Sequence, residues 1–409
     1  MKIKNNLVEI IISLGIFILL IHSTDPIIKT DSQRYIDGNV IDPPFLYNII
    51  IIMSKLFGTL ESVIVLQTLL IGFSIIYFSR TMSSIFNLDN LVKILISIFL
   101  FLPIIKFYNY LLTETFGYAF SLLFVSFIIK LIYKFNIQNI FWSSFFIILL
   151  LLLRKQFLFL YPLIIFLYFG IIIINKSKKT FAILTISFIS ILVFHISLTS
   201  LDKYVKNYSL DHKTSLSNKY GPFYFIYIDA IYVSTLEDAK LFKNQNEQET
   251  LIKIFKEMNN QKALLEYYNG RGHYGLSFNH IRNHSDVLIE KLSNQQNRSI
   301  INLQKEISIK LIKANFDKYI KHIFKKFYDS TWLFIFLPFF MLLAALINFP
   351  KYKSKILLVF IFISLFSLAN HLVTYIFGRV QPRYFIYTDF ILLLFIFLIF
   401  ANYLKKKKN

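Results

Sequence analysis

Seven side chains of this 409-residue sequence are of types and in places that suit chemistry: Asp31, Tyr35, Glu114, Arg154, Lys155, Arg379 and Arg383. A carboxylate such as Asp31 can take the proton of an attacking hydroxyl or amine, a role that typically contributes about 10²–10⁴-fold to a rate. An arginine fork can hold two phosphate oxygens at once, and a lysine supplies a compact point charge. Arg154, Lys155, Arg379 and Arg383, with Lys106, all stand at the ends of long apolar blocks. Each has a plain alternative, in which the long stem lies along apolar surface and the head snorkels to the lipid headgroups. Taken singly, neither reading wins. Taken together, the five converge on one membrane face, and that favours a site for an anion such as a lipid phosphate.

The acids complement these cations. The segment His22-Ser-Thr-Asp25-Pro-Ile-Ile-Lys29-Thr-Asp31-Ser32-Gln33-Arg34-Tyr35-Ile-Asp37-Gly38, followed by Asp42-Pro43-Pro44, carries four carboxylates within 18 residues. Asp25 and Asp37 read as a solvated loop, and Asp42 as the cap of a short helix opened by the prolines. Glu114, in Leu112-Thr113-Glu114-Thr115, lies near the end of an apolar block, where an ionisable group is expensive and usually faces a cavity or a partner. His371, similarly placed, reads as a hydrogen-bonded core histidine. Tyr35 suits packing as well as a sugar contact. The sequence has no Walker loop, dinucleotide fingerprint, HExxH or GxSxG. Energy for a reaction must therefore arrive with a substrate.

The elements that must position these groups are membrane helices. Hydrophobic residues make up 56% of the chain and charged residues 16%, well below the roughly 25% charged of soluble domains. The mean hydropathy is +0.57. Apolar blocks of about 18 residues or more read as bilayer-spanning helices, and the alternation of a membrane barrel is missing. Spans are expected at about 7–22, 61–79, 91–105, 110–130, 139–153, 157–175, 181–199, 331–349, 355–377 and 385–403. The first could be a signal peptide, but no small-residue cleavage site follows, and it is read as retained. The net charge of +21 does not point to nucleic acid. With the N-terminus inside, Arg80, Lys130, Lys134, Lys176, Lys178, Lys179, Lys351, Lys353, Lys355 and Lys405 to Lys408 all fall on the inner side, as the positive-inside rule asks. The partner for this charge is then anionic lipid. The absence of Cys excludes disulfides and thiolate metal sites.

Ten spans leave two long outer segments. The first, 22–58, holds the apolar stretch Phe45 to Phe57, whose 13 residues suit an interfacial or re-entrant helix. The second, 201–330, is rich in Asn, Gln, Lys and Glu. Apolar residues recur there at helical spacing over Leu236–Tyr268 and Ser285–Phe327, separated by the loop Asn269-Gly270-Arg271-Gly272-His273. The expected architecture is thus an all-α polytopic membrane protein. It has an N-terminal transmembrane module (1–200), a helical extracytoplasmic loop domain (201–330) and a C-terminal transmembrane module (331–409). Both termini are expected in the cytoplasm of a bacterial inner or plasma membrane, with the active face outside.

The pattern resembles the GT-C superfamily of membrane glycosyltransferases, in the branch of dolichyl-phosphate-mannose protein mannosyltransferases and bacterial aminoarabinose transferases. Asp31-Ser32-Gln33-Arg34-Tyr35 is similar to that family's Asp-Ser/Glu-x-x-Tyr in the first outer loop. Pro43-Pro44 with Leu56-Phe57-Gly58 resembles its interfacial helix, and Leu112 to Thr115 after Pro103 its Leu-Thr-Glu-Thr after a proline-containing turn. Leu152-Leu153-Arg154 and Arg383-Tyr384 match its Leu-x-Arg and its Arg-Tyr at the last span. Asn315-Phe316-Asp317-Lys318-Tyr319 is similar to an Asn-Pro-x-x-Tyr before the eighth span of relatives. The resemblance covers about 1–200 and 330–400. It implies transfer, with inversion, of a sugar from a polyprenyl-phosphate donor to a glycan, lipid or protein acceptor. Asp31 is then the base, Arg154, Lys155, Arg379 and Arg383 hold the phosphate, and Glu114 and Tyr35 serve the acceptor or support the site. Ser32 stands where many members carry a second acid, so a divalent metal stays an open question. A lipid-linked oligosaccharide polymerase or flippase-like transporter is the alternative. The acidic first loop and its Pro-Pro helix speak for the transferase, and a transporter should show broken spans with midplane charges.

Overall fold

The computed structural model describes residues 7–22, 24–28, 32, 36, 45–56, 59–209, 223–268, 273–352, 354–377 and 384–408. Among these the chain is helical and has no strand, only an isolated bridge between Ile27 and Tyr110. The helices are α1 (Leu7–His22), α2 (Phe45–Leu56), α3 (Glu61–Phe86), α4 (Asn90–Phe107), α5 (Thr113–Tyr133), α6 (Ile137–Leu153), α7 (Leu160–Asn175), α8 (Lys178–Ser209), α9 (Tyr224–Val233), α10 (Gln245–Asn260), α11 (His273–Gln296), α12 (Ile300–Ala314), α13 (Phe316–Tyr352), α14 (Lys355–Phe377) and α15 (Ile386–Lys408). A 3-10 turn, Lys155–Phe159, runs into α7. Each expected span falls on a helix, with shifted ends. Six of the helical segments are long and apolar enough to cross a membrane: Glu61–Phe86, Asn90–Phe107, Thr113–Tyr133, Lys155–Asn175, Lys178–Asp202 and Lys355–Ile376. The protein is an all-α, multi-pass membrane protein. Shorter apolar helices include Ile10–His22, Ile137–Leu153, Phe336–Lys351 and Ile386–Leu398.

The chain forms two compact units. The first comprises Met1–Asp211, Phe334–His371 and Pro382–Asn409; the second comprises His212–Leu333 with Leu372–Gln381. The hub of the first is α5, which is buried on almost every face and packs against α3, α6, α4 and α15. A helix apolar all round and enclosed on all sides suits this place. Close approach is bought with glycine: a Cβ at Gly117 would lie 2.9 Å from the Tyr387 ring, and one at Gly72 only 1.8 Å from Ile16. Small residues let membrane helices approach in this way. Helix ends follow local rules. The Asn136 side chain accepts the Asn139 N–H at 2.7 Å to cap α6, and Asn87, left-handed at φ 49°, closes α3.

The second unit is a helical core around Tyr227, Ile231, Ile254, Phe255, Ile307 and Leu311. Its α10 buries Leu251, Ile254, Phe255 and Met258, one stripe at helical spacing. Asn244 caps that helix through the Asn246 and Glu247 N–H groups. Arg298 binds Glu247 at 3.0 Å and Glu306 at 2.6 Å, which ties α10 to α12.

Two expectations need correction. The helical stretch expected over Ser285–Phe327 is not continuous. It is divided at Asn297, whose φ of 50° ends α11, and again at Asn315, and its first helix begins at His273 rather than Ser285. Pro103 lies inside α4 and not in a turn; the turn before Glu114 is formed by 108–112.

Candidate functional site

The first unit gathers a polar cluster where α5, α6, α14 and α15 meet. Glu114 lies in the first turn of α5, where the N-terminal end of a helix dipole favours a carboxylate. It is buried, and the turn leading to it is held from two sides. Ile27 donates its N–H to Asn109 O at 2.8 Å and accepts from Leu111 N at 3.3 Å. From α3, the buried Gln67 amide donates to the carbonyl of Tyr108 and to that of Tyr110 at 3.2 Å. The segment after α1 is thereby joined to the α4–α5 turn four residues before Asp31. Neighbouring Ser32 is fully buried.

Arg154 follows α6 directly. Its extended backbone (φ −163°, ψ 133°) interrupts the helix before the 3-10 turn and frees the side chain to reach across. The Arg154 Nη1 donates to Glu114 Oε1 at 3.2 Å and to Tyr387 Oη at 3.0 Å, and the guanidinium lies 4.1 Å from the Tyr384 ring centroid. Its side chain is 22% exposed against 4% for Glu114, so the cation reaches solvent while its counter-charge does not. Gln156, two residues on, donates to Asn370 Oδ1 at 2.5 Å and to Tyr384 O at 3.2 Å; Asn370 donates to the same carbonyl at 3.0 Å and to Thr388 Oγ1 at 3.2 Å. One row of hydrogen bonds thus ties the 3-10 turn, α14 and the start of α15 around Arg154. Beside it, His371 is buried, donates its Nε2–H to Asp389 Oδ1 at 2.8 Å and stacks on Phe385 at 4.2 Å. It is a core histidine with a carboxylate partner.

Of the seven residues singled out, Glu114 and Arg154 come together, and Lys155 is exposed at the start of the 3-10 turn beside them. Lys106 is exposed beside the Phe107 ring, 5.7 Å away, as a snorkelling lysine would be. Asp31, Tyr35, Arg379 and Arg383 lie outside the described residues, as do Asp37, Asp42, Pro43 and Pro44. The residues not foreseen are Gln156, Asn370, Tyr387 and Thr388. Neutral polar groups in apolar helices break no charge rule, so only the Tyr384–Tyr387 spacing of one helical turn could have signalled them. Among the described residues no group of three or more His, Asp and Glu gathers to hold a metal ion. A pocket of about 150 Å³ between α7, α13 and α14, lined by Leu163, Phe166, Gly170, Leu346, Leu358 and Phe362, includes neither Glu114 nor Arg154 and no ionisable group.

The arrangement can stabilise an anion. A guanidinium held by a buried carboxylate, a phenol and an aromatic face is preorganised, and preorganised charge is what a developing negative charge needs. No protein-family model, curated protein or solved structure matches the chain.

Proposed function

We propose that this protein is an inverting membrane glycosyltransferase that moves a sugar from a polyprenyl-phosphate donor to a glycan, lipid or protein acceptor at the outer membrane face. The observation that carries the reading is the Glu114–Arg154 ion pair, set among Tyr387 and Tyr384 beside a turn to which the acidic first outer segment is bonded. The proposed topology has ten spans with both termini inside. Asp31 takes the proton as the acceptor oxygen or nitrogen attacks the anomeric carbon. The bond from that carbon to the phosphate oxygen breaks in the same displacement, and polyprenyl phosphate leaves with the electron pair. A phosphate is a weak base, so the leaving group needs charge stabilisation and no general acid. Arg154 and Lys155, with Arg379 and Arg383, supply it, and Glu114 orients Arg154.

The test is incubation of the purified protein with a set of polyprenyl-phosphate sugars, following release of polyprenyl phosphate. Release from one of them by wild type and its loss in Asp31→Asn, with the variant still inserted and folded, is expected. Near-wild-type turnover in Asp31→Asn would sink the assignment of the base.

A further inference from the structure

The first unit holds, between α7, the end of α13 and α14, a pocket of about 150 Å³ that the transfer site does not use. Its floor is buried: Leu163 and Leu167 come from α7, Leu358 and Phe362 from α14. Its rim is open, with Phe166 and Leu346 exposed. A missing side chain shapes the floor, since a Cβ on Gly170 would lie 2.5 Å from Leu358 Cδ1. A site for a whole drug-sized molecule needs roughly 300–1,000 Å³. This pocket is smaller and its lining is apolar throughout, which fits a length of hydrocarbon chain and no polar group.

Charge stands at one end of the pocket. Lys176, the left-handed C-cap of α7 at φ 48°, comes three positions after the lining residue Ile173. Lys351 comes two positions after Phe349, and Lys355 three positions before Leu358. Each of the three lining helices thus brings an exposed lysine within a turn of the pocket. Phe159 packs on Phe366 at 5.7 Å and Gly170 on Leu358, so α7 and α14 run antiparallel, and Lys176 and Lys355 share an end. Lys351 joins them because α13 ends three residues before Lys355. Lys355 Nζ also donates to the Tyr133 carbonyl at 2.8 Å, which holds it there. Toward the other end the lining helices offer no charge: α7, residues 331–350 and residues 356–377 contain no Asp, Glu, Lys or Arg. The positive-inside rule and snorkelling account for lysines at helix ends. Neither requires three of them to stand around one end of an apolar pocket. An apolar chamber with cations at one end has the layout of a single amphiphile with an anionic head.

We propose that this pocket takes one acyl chain of an anionic phospholipid whose phosphate is held among Lys176, Lys351 and Lys355. The site is separate from the proposed transfer centre. Arg154 stands at the other end of α7, roughly 30 Å from Lys176 at the rise of a helix. A donor phosphate at Arg154 is therefore not the anion these lysines meet, and the proposal does not depend on the transfer reading. The lysines supply the preference for a negative head, and the pocket supplies the requirement for a chain. Lipid that binds the folded protein alone raises its melting temperature by mass action.

The test titrates the full chain, delipidated in a neutral detergent, with dioleoyl phosphatidylglycerol, dioleoyl phosphatidylcholine or inorganic phosphate. Bound lipid is read by native mass spectrometry, alongside the melting temperature. Wild type should bind phosphatidylglycerol about tenfold more tightly than phosphatidylcholine and melt higher with it, while inorganic phosphate, a charge without a chain, should give no shift. Lys176→Gln/Lys351→Gln/Lys355→Gln should reduce the preference to within about twofold. Lys93→Gln/Lys134→Gln, which removes charges from α4 and the end of α5, outside the pocket, should keep it. Leu346→Trp, which sets a larger ring at the rim, should weaken both lipids about tenfold. Phosphatidylglycerol with a diazirine in one acyl chain should label residues 163–173 or 346–365 of wild type. Equal binding of the two lipids by wild type, equal loss of preference in the two lysine variants, an equal shift with inorganic phosphate, or no label in those segments overturns the proposal. Displacement of the label by equimolar undecaprenyl phosphate gives the pocket to a polyprenyl chain and overturns it too. If Leu346→Trp does not fold, labelling of wild type decides where the chain lies.

Discussion

Arg154 is the residue on which the proposed site turns, and its neighbours define what substitution does. Arg154→Lys keeps the charge but loses the planar stack on Tyr384 and the reach that spans Glu114 and Tyr387. Loss of a preorganised charge stabiliser typically lowers kcat by about 10²–10³-fold. We expect Arg154→Lys to fall at the mild end of that range and Arg154→Ala at the severe end, measured as polyprenyl phosphate release under donor saturation. An Arg154→Ala protein with wild-type kcat removes it from the phosphate site. Glu114 and Arg154 were legible because each is a charge where the bilayer disfavours one. In the second unit, Asp229 and His322 make a separate prediction. Burial pushes Asp229 up, but Lys326 and His322 outweigh it and hold the carboxyl below its ordinary range. Burial pushes the His322 imidazole down, against the pull of Asp229. In both cases the unfolded chain binds the proton more readily than the folded one, so stability is present above the unfolded pKa and is lost as pH falls. Stability of the second unit should therefore decline as pH drops below about 6.5, where an unfolded histidine gains its proton, and decline further through the carboxylate range. Melting curves from pH 7.5 to 4 check this; a stability that rises on acidification contradicts it.

At the scale of elements, α5 positions Glu114 through its neighbours. Gly117 lets the Tyr387 ring of α15 rest on the α5 backbone, one turn from Glu114. Gly117→Ala places a methyl 2.9 Å from a ring carbon, and the ring cannot rotate away as the end of an aliphatic chain could. Overpacking of this kind typically costs about 1–3 kcal/mol, and it moves the phenol that binds Arg154. Reduced melting temperature together with reduced turnover is expected, whereas Gly72→Ala, which meets the flexible tip of Ile16, should lower stability and spare turnover. Equal effects on turnover at the two glycines would dismiss the Tyr387 argument. Gln67→Leu tests the turn before Glu114: two carbonyls lose a donor inside the protein, a change worth about 1–3 kcal/mol. The helices over the long apolar blocks were foreseeable, as was the short α2, but α9 was not. Their partners were not, because an apolar helix offers no periodic stripe to say which face meets which neighbour.

For the whole molecule, the proposed ten-span topology makes a direct prediction. The chain has no Cys, so single substitutions report without background. Lys243→Cys, in the second unit, should react with a membrane-impermeant maleimide in intact cells, and Lys179→Cys, at the start of α8, only after the membrane is opened. The opposite pattern reverses the proposed orientation, and reaction of both from one side removes a span between them. The bond from Lys326 to the Tyr375 carbonyl was not foreseeable, since nothing in a membrane helix's last turn marks it as the target of a lysine some fifty residues earlier.

What the amino-acid order determined by itself is what the bilayer enforces locally: helices wherever about 18 apolar residues follow one another, and Glu114 and Arg154 as charges that need a reason. Those properties depend only on transfer from water to lipid, which each segment undergoes on its own. Tertiary structure decided the rest: that Glu114 and Arg154 pair, that Tyr387 reaches Arg154 beside Gly117, and that Asp229 gathers Tyr274, His322 and Lys326 from two other helices. The hydrogen bonds among them join residues 40 to 233 positions apart. They depend on which faces pack together, a choice made by shape and hydrogen bonding among helices that are alike in hydrophobicity.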